Sequence, residues 1–253
     1  MTLTKEKLVL SIDGLNLHDT LALAAKVGRQ VQCLKVHDIC DRHGVRDVVK
    51  QLGAHGTRVW VDYKIHDIPE TVRLRAYALA RAGASIITVH APGGIDMMKA
   101  AVTGAHQGTA ERDHDPSVHE GATKVYAVTV LTSLDEAEVN GTFGGPSIAK
   151  VLQFARNAKM AGVYGIVCSA LEVGLLNKRP ELKGLELIVP GTRLVGQAVD
   201  DQKRTDGVPN AVRNGATSLV AGRAFTAPKA DPVAALEQFE REIELGLAPI
   251  VAT

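Results

Sequence analysis

Cysteine, aromatic residues, net charge and long apolar runs are all scarce in this chain of 253 residues, and each scarcity excludes something. Its three cysteines, Cys33, Cys40 and Cys168, are scattered, odd in number and without a CxxC pair, which argues against a disulfide framework or a zinc knuckle. Cysteine use of this kind suits reducing cytoplasm. Aromatic residues make up only 4%, so the core has to be aliphatic. Twenty-nine basic side chains stand against 28 acidic ones, and a net charge of +1 gives no bulk attraction to nucleic acid or to an anionic membrane. Any anion bound here is bound locally. No window reaches the roughly 18 uninterrupted apolar residues of a membrane span. The opening MTLTKEKLVLSID runs into a strand-like segment with no long apolar stretch or small-residue cleavage site. A cytoplasmic protein with neither nucleic-acid nor membrane partners is expected.

What is present is rhythm. Short β-branched runs recur: LVLSID (8–13), VQCLKV (31–36), RVWVDYK (58–64), SIITVH (85–90), VYAVTVL (125–131), YGIVCS (164–169), LELIVPG (185–191) and TSLVAGR (217–223). Between most of them lie alanine-rich segments with helical spacing, such as 17–28, 69–83 and 146–162, and most stop at a glycine suited to ending a last turn. Eight strand-then-helix units in this length predict a single α/β domain over 1–253, a (β/α)₈ TIM barrel, with a doubly wound open sheet as the alternative. One stretch, HQGTAERDHDPSVHEGATK (106–124), is polar, charged and glycine-rich with no apolar period, and is expected as a surface excursion after the fourth helix. Its histidines, His106, His114 and His119, are irregularly spaced and fit solvated side chains better than a metal site.

Barrel strands offer alternate residues to the interior, and reactive groups sit at their C-terminal ends. In RVWVDYKIHD the even positions Trp60, Asp62 and Lys64 share one face, while Val59, Val61 and Tyr63 turn to the helices. Asp67 follows in the loop before Pro69 opens a helix as a first-turn residue. With Asp13 ending one strand and Lys35 near the end of another, five ionisable groups of both signs are expected to converge on the barrel mouth. One such pair is most often a structural salt bridge; five at strand ends are costly enough to bury that they indicate a site. A second cluster, PGTR (190–193), DDQKR (200–204) and AGRAF (221–225), brings Arg193, Gln202, Gly222 and Arg223 to the ends of the last two strands, where barrels often hold a phosphate. The planar fork of Arg223 suits two phosphate oxygens at once. Trp60 reads as barrel filling, and Cys33 and Cys168 as small core residues. His37, His66 and His90 lie near strand ends, and a three-histidine metal site is the weaker reading of them.

At VDYKIHDIPETV (61–72) the sequence resembles the D-x-K-x-x-D-I-P-x-T signature of the orotidine 5′-monophosphate decarboxylase family. SID with Asp13, LKV with Lys35, VHAPGG (89–94), VTVLTS (128–133), VCSALE (167–172), PGTR, DDQKR and AGR follow in that family's order, so the resemblance covers essentially residues 7 to 240. It implies a (β/α)₈ barrel assembled as a homodimer with active sites at the interface, needing no cofactor and no metal. The implied reaction converts orotidine 5′-monophosphate to UMP and CO₂ in pyrimidine biosynthesis. The resemblance also implies roles. Lys64 is the proton donor in an array with Asp62, Asp67 and Lys35, and Asp67 and Thr71 reach into the partner's site. Asp13 and Lys35 contact ribose hydroxyls, Thr132 and Ser133 lie near the pyrimidine, and Arg193, Gln202, Gly222 and Arg223 hold the phosphate. The chain departs from the family pattern at Glu70, where asparagine is usual, at Val189, where threonine commonly precedes PGxR, at His37, and in the 106–124 stretch.

These residue types suit that chemistry. Loss of CO₂ from C6 of orotidylate leaves electron density on a ring carbon with no adjacent sink, so stabilisation has to be electrostatic. An ammonium beside C6 supplies preorganised charge and then a proton, and flanking carboxylates keep an ammonium charged at neutral pH. Two rivals compete. Magnesium-dependent decarboxylases and aldolases of sugar phosphates reuse a D-x-K-x-x-D element but need an acidic ligand where Lys35 stands here. A non-catalytic nucleotide binder would keep the phosphate grip without needing Asp62, Lys64 and Asp67.

Overall fold

Each of the eight β-branched runs forms a strand: β1 (Leu8–Ser11), β2 (Cys33–Val36), β3 (Val59–Ile65), β4 (Ile86–His90), β5 (Lys124–Val128), β6 (Gly165–Val167), β7 (Glu186–Pro190) and β8 (Ser218–Ala221). The computed structural model describes residues 2–192, 194 and 207–249. All the strands pair in parallel in chain order, and β8 closes on β1 through Leu8↔Leu219 and Val9↔Val220. This is a closed (β/α)₈ TIM barrel in one domain, and closure excludes the open doubly wound sheet. Around it run α1 (Leu3–Lys7), α2 (Leu17–Val27), α3 (Asp38–His43), α4 (Val45–Gly53), α5 (Pro69–Arg81) and α6 (Ile95–Ala110). The second half adds α7 (Glu136–Phe143), α8 (Ser147–Ala161), α9 (Ala170–Asn177), α10 (Val208–Arg213), α11 (Arg223–Thr226) and α12 (Pro232–Leu247).

Local chemistry explains the boundaries. Pro69 sits in the first turn of α5, where its missing N–H costs nothing, and Gly162 ends α8 in the left-handed conformation. Asp135 with Glu138 and Ser169 with Glu172 form reciprocal capping boxes at the starts of α7 and α9. The five-residue α1 is capped by Thr2, whose side chain accepts from Lys5 N, and the Glu240 carboxylate on α12 accepts from Leu3 N and Thr4 N, both at 2.7 Å.

Alternation along the strands builds two cores. Outward-facing residues such as Leu10, Leu34, Val61 and Ile87 join the helices in one aliphatic shell, while Val9, Cys33, Trp60, Ile86, Tyr126, Ile188 and Val220 fill the barrel. Trp60 is barrel filling, as its face required: it is 1% exposed, donates Nε1–H to Thr88 Oγ1 at 2.6 Å and meets Tyr126 edge-on. Cys33 and Cys168 are buried thiols outside any disulfide.

The irregular stretch is shorter than the expected 106–124, because α6 runs through Ala110. Gly108 falls inside the stretch expected as a loop, yet a Cβ on it would stand 2.2 Å from the carbonyl oxygen of Tyr77 on α5, as one on Gly104 would stand 2.1 Å from that of Arg73. Close helix packing thus overrides their poor helix propensity. The rest of the stretch packs against the barrel. Arg112 donates to Ala80 O, His119 O and Thr123 Oγ1, and the Ser117 carbonyl sits where Gly53 leaves room for it. His106 lies on α6, and His114 pairs at 3.7 Å with Glu120 on the surface.

Candidate active site

At the C-terminal mouth, inward-facing ends of three adjacent strands form one alternating row of charge. Lys35 Nζ on β2 lies 2.7 Å from Asp13 Oδ2 and 3.0 Å from Asp62 Oδ2, and Lys64 Nζ lies 2.8 Å from the same Asp62 oxygen. Ser11 Oγ, the inward neighbour of Val9 on β1, donates to Asp13 at 2.7 Å and tethers the outer end of the row. The middle of the row is dry and its ends are wet: the side chains of Lys35 and Asp62 are 10% and 7% exposed, those of Asp13 and Lys64 40% and 38%. Burial alone would push the Lys35 pKa down, but the Asp62 and Asp13 carboxylates outweigh it and hold the ammonium above its ordinary range. Burial likewise works against an ionised Asp62, and Lys35 and Lys64 together bring that carboxyl below the usual carboxylate range. Both central groups, Lys35 and Asp62, are therefore charged, as a network has to be if charges are to sit at this depth.

The alternation that assigned Asp62 and Lys64 to one face misses how Lys64 gets there. Among the described residues Lys64 is the only non-glycine at positive φ, +48°, and the pairing of β3 with β4 shifts register between Val61 and Ile65. A side chain held in the left-handed region is disfavoured by about 1–2 kcal/mol and persists where surrounding contacts over-determine it, commonly at functional sites.

The row opens into a cavity of about 730 Å³, within the range of ligand sites. Trp60 lines it, as do Thr132 and Ser133, and Gly222 and Arg223 line it beyond the end of β8. Two of the expected phosphate donors are thereby brought to the mouth; the other two, Arg193 and Gln202, lie outside the described residues. Thr192, 6% exposed, lines the cavity as well and donates Oγ1–H to Val220 O at 3.3 Å, tying the turn after β7 to β8. Neither Ser11 nor Thr192 was singled out by sequence; inward alternation after Val9 carried the signal for the first.

Asp67 and Thr71 are not part of this row. Asp67 is exposed and its carboxylate accepts from Ile68 N at 2.7 Å, and Thr71 lies in the first turn of α5, away from the cavity lining. The family departures also stay clear of it. Glu70 forms a surface pair with Arg73 at 2.6 Å, buried Val189 alternates with the inward Ile188 of the barrel filling, and exposed His37 lies edge-on to Tyr63. His66 and His90 face each other with ring centroids 5.7 Å apart, and burial, with His66 and Lys64 nearby, lowers the pKa of His90. Among the described residues no group of three His, Cys, Asp or Glu side chains is placed to hold a metal ion. No described helix is long and apolar enough to cross a membrane.

The model of the orotidine 5′-phosphate decarboxylase / HUMPS family matches residues 6–239. The chain belongs to this family. Among relatives of the orotidine 5′-phosphate decarboxylase / HUMPS family, the orotidine 5′-phosphate decarboxylase of Heliobacterium modesticaldum is 33% identical over 246 residues, 96% of this chain and 98% of the relative. That of Anaeromyxobacter dehalogenans is 43% identical over 182 residues, 71% of this chain and 73% of the relative. The crystal structure of orotidine 5′-phosphate decarboxylase from Lactobacillus acidophilus superposes with a TM-score of 0.77 at 29% identity, covering 94% of this chain and 99% of that one. The resemblance read from 61–72 is thus borne out as membership of the orotidine 5′-phosphate decarboxylase / HUMPS family, and a decarboxylase is a lyase, the enzyme class expected of this chain.

Proposed function

We propose that this chain decarboxylates orotidine 5′-monophosphate to UMP and CO₂ in pyrimidine biosynthesis, without a cofactor. The observation that carries the reading is the row Asp13, Lys35, Asp62, Lys64, ending with an ammonium at the wall of an open cavity. The C6–CO₂ bond breaks with its electron pair left on C6. Lys64 stabilises that charge as it develops and then transfers a proton from Nζ to C6, and solvent returns the proton to the amine. Asp62, anchored from behind by Lys35, holds Lys64 in place and faces the departing carboxylate. Asp13 and Lys35 hold ribose hydroxyls, Thr132 and Ser133 contact the pyrimidine, and Gly222 and Arg223, with Arg193 and Gln202, grip the phosphate. Binding energy from that remote group aligns the ring at C6. The reading favours this reaction over the magnesium-dependent relatives because an ammonium, 2.7 and 3.0 Å from two carboxylates, already occupies the space a divalent ion would share with them.

The deciding measurement is loss of orotidylate absorbance with purified protein in excess EDTA. Turnover is expected; none in EDTA, with activity restored by magnesium, moves the assignment to the sugar-phosphate enzymes.

The reading also makes the active unit a cytoplasmic homodimer. Its support is that Asp67, on the loop before α5, serves nothing in its own chain's row, so the resemblance's place for Asp67 and Thr71, the partner's site, gives both a task. Mixing inactive Asp67→Asn with inactive Lys64→Ala protein should regain activity, because one heterodimer site then takes both intact groups. Mixtures that stay dead after confirmed subunit exchange refute the shared site.

A further inference from the structure

Lys64 stands on a stretch of β3 that the neighbouring strands do not hold. Pairing with β2 ends at Val36↔Val61. Pairing with β4 passes from Val61↔Ile87 to Ile65↔Val89, so β3 carries two residues more than β4 over the same span. Asp62, Tyr63 and Lys64 make that bulge, with Lys64 at a φ of +48°. Bulges beside functional sites re-aim a side chain, and a left-handed lysine relaxes unless something outside its own backbone prevents it. On the inner face the ion pairs to Asp62 contribute, but they end at the half-exposed Lys64 side chain.

On the outer face the restraint is Tyr63, and three elements grip its ring. Its hydroxyl donates to Asp41 Oδ1 on α3 at 2.8 Å. His37, the residue after β2, meets the ring edge-on with centroids 5.5 Å apart at 84°. The Arg75 guanidinium on α5 lies 5.8 Å from the ring centroid, within reach of a cation–π attraction. Tyr63 is not among the residues that line the cavity, so it has no route to the substrate except through its neighbours in the chain.

We propose that Tyr63 is a positioning residue for Lys64: clamped by α3, α5 and the end of β2, its ring locks the β3 bulge from outside the barrel and fixes where the ammonium stands. This deepens the decarboxylase reading, and its kinetic readout rests on that reading. The test compares Tyr63→Leu, which removes the ring, with Tyr63→Phe, which keeps the ring and loses only the bond to Asp41. Both are made in the full chain, with melting curves showing each folded at the assay temperature. In Tyr63→Leu, kcat on orotidylate should fall at least tenfold with KM within twofold, because the phosphate and ribose contacts are untouched; Tyr63→Phe should lose only about threefold, keeping about a third of wild type. A folded Tyr63→Leu enzyme with kcat within threefold of wild type, or one whose loss lies in KM, overturns the proposal. If Tyr63→Leu does not fold, Tyr63→Phe decides: about threefold lower kcat at constant KM supports the clamp, and wild-type kcat overturns it. A second readout needs no turnover. The Lys64 Cε NMR resonance, assigned by its disappearance in Lys64→Arg, should move in Tyr63→Leu (in Tyr63→Phe, if Leu does not fold), and an unmoved resonance refutes the clamp. A wild-type chain inactive on orotidylate would refute the decarboxylase reading and leave Tyr63 to be judged by this resonance alone.

Discussion

At the C-terminal mouth Lys35 stands between Asp13 and Asp62; at the opposite end of the same barrel Lys124 pairs with Glu186 at 3.0 Å, and Tyr126 donates its hydroxyl to that carboxylate. Both ends place a lysine against carboxylate on inward-facing strand positions. They differ in what surrounds the charges. Below, Gln32, Arg58, Ser85 and His119 enclose about 20 Å³, room for about one water, and Arg112 braces the segment carrying His119. Above, the row borders about 730 Å³. A paired charge on a barrel strand therefore does not mark a site by itself. What marks one is a row of charges left facing open volume on the side where the strands end, which agrees with reactive groups sitting at the C-terminal face of such barrels.

The largest expected effect comes from removing the ammonium that faces the volume. Lys64→Ala should leave no more than about a thousandth of wild-type kcat, a barrier change of roughly 4 kcal/mol, because one substitution takes both the cation beside C6 and the proton. UMP should still bind, since the proposed phosphate grip is untouched, and the melting temperature should change little. Steady-state kinetics and UMP titration check both halves. A variant keeping more than a tenth of wild-type kcat would put the mouth in the same class as the closed end.

A smaller effect is expected at the far side of the cavity. Arg223→Ala should lower kcat/KM on orotidylate at least tenfold, mostly through KM, since a charge-assisted contact to phosphate is worth roughly 1.5–3 kcal/mol. On orotidine, which carries no phosphate, variant and wild type should be nearly equal. Equal losses on both substrates would make Arg223 a support of the barrel and shift the phosphate grip to Arg193 and Gln202.

The fold was legible because strand runs and alanine-rich helices alternate eight times and pairing in order needs no further information. The row at the mouth was legible for a related reason: period-two alternation puts Trp60, Asp62 and Lys64 on one wall, and Asp13 and Lys35 end the neighbouring strands. What escaped depends on contacts distant in sequence. Helix α1 is anchored by Glu240, which receives its first N–H groups, and α6 continues through Gly108 because the Tyr77 carbonyl of α5 lies against it. The bulge at Lys64 is a register shift between β3 and β4, which no periodicity within β3 records. Asp67 was grouped with the other four charges because it follows three positions after Lys64, but the strand ends at Ile65 and Asp67 turns its carboxylate back to Ile68 N.

The smallest effect on turnover is expected at the closed end, and it tests the comparison most sharply. Glu186→Gln keeps the shape of the side chain and removes its charge, so Lys124 loses its ion partner and the Tyr126 hydroxyl keeps only a neutral acceptor. Hydrogen bonds to charged groups contribute roughly 1.5–3 kcal/mol, which for a chain of this length lowers the melting temperature by roughly 3 to 12 °C. If the lower network is structural, kcat on orotidylate measured well below the transition should stay within twofold of wild type. A physical route for a larger effect does exist. Tyr126 lies edge-on to Trp60 with ring centroids 5.4 Å apart, and Trp60 lines the cavity. A Tyr126 ring released from Glu186 could tilt Trp60 under the substrate. Yet Trp60 is also held by its own 2.6 Å bond to Thr88 and by close packing, and filled interiors resist such shifts. The expected pairing is a lower melting temperature with unchanged kinetics; a drop in kcat of more than threefold in fully folded Glu186→Gln would mean that the two ends are coupled through Tyr126 and Trp60, and that the lower lysine–carboxylate pair belongs to the catalytic apparatus after all.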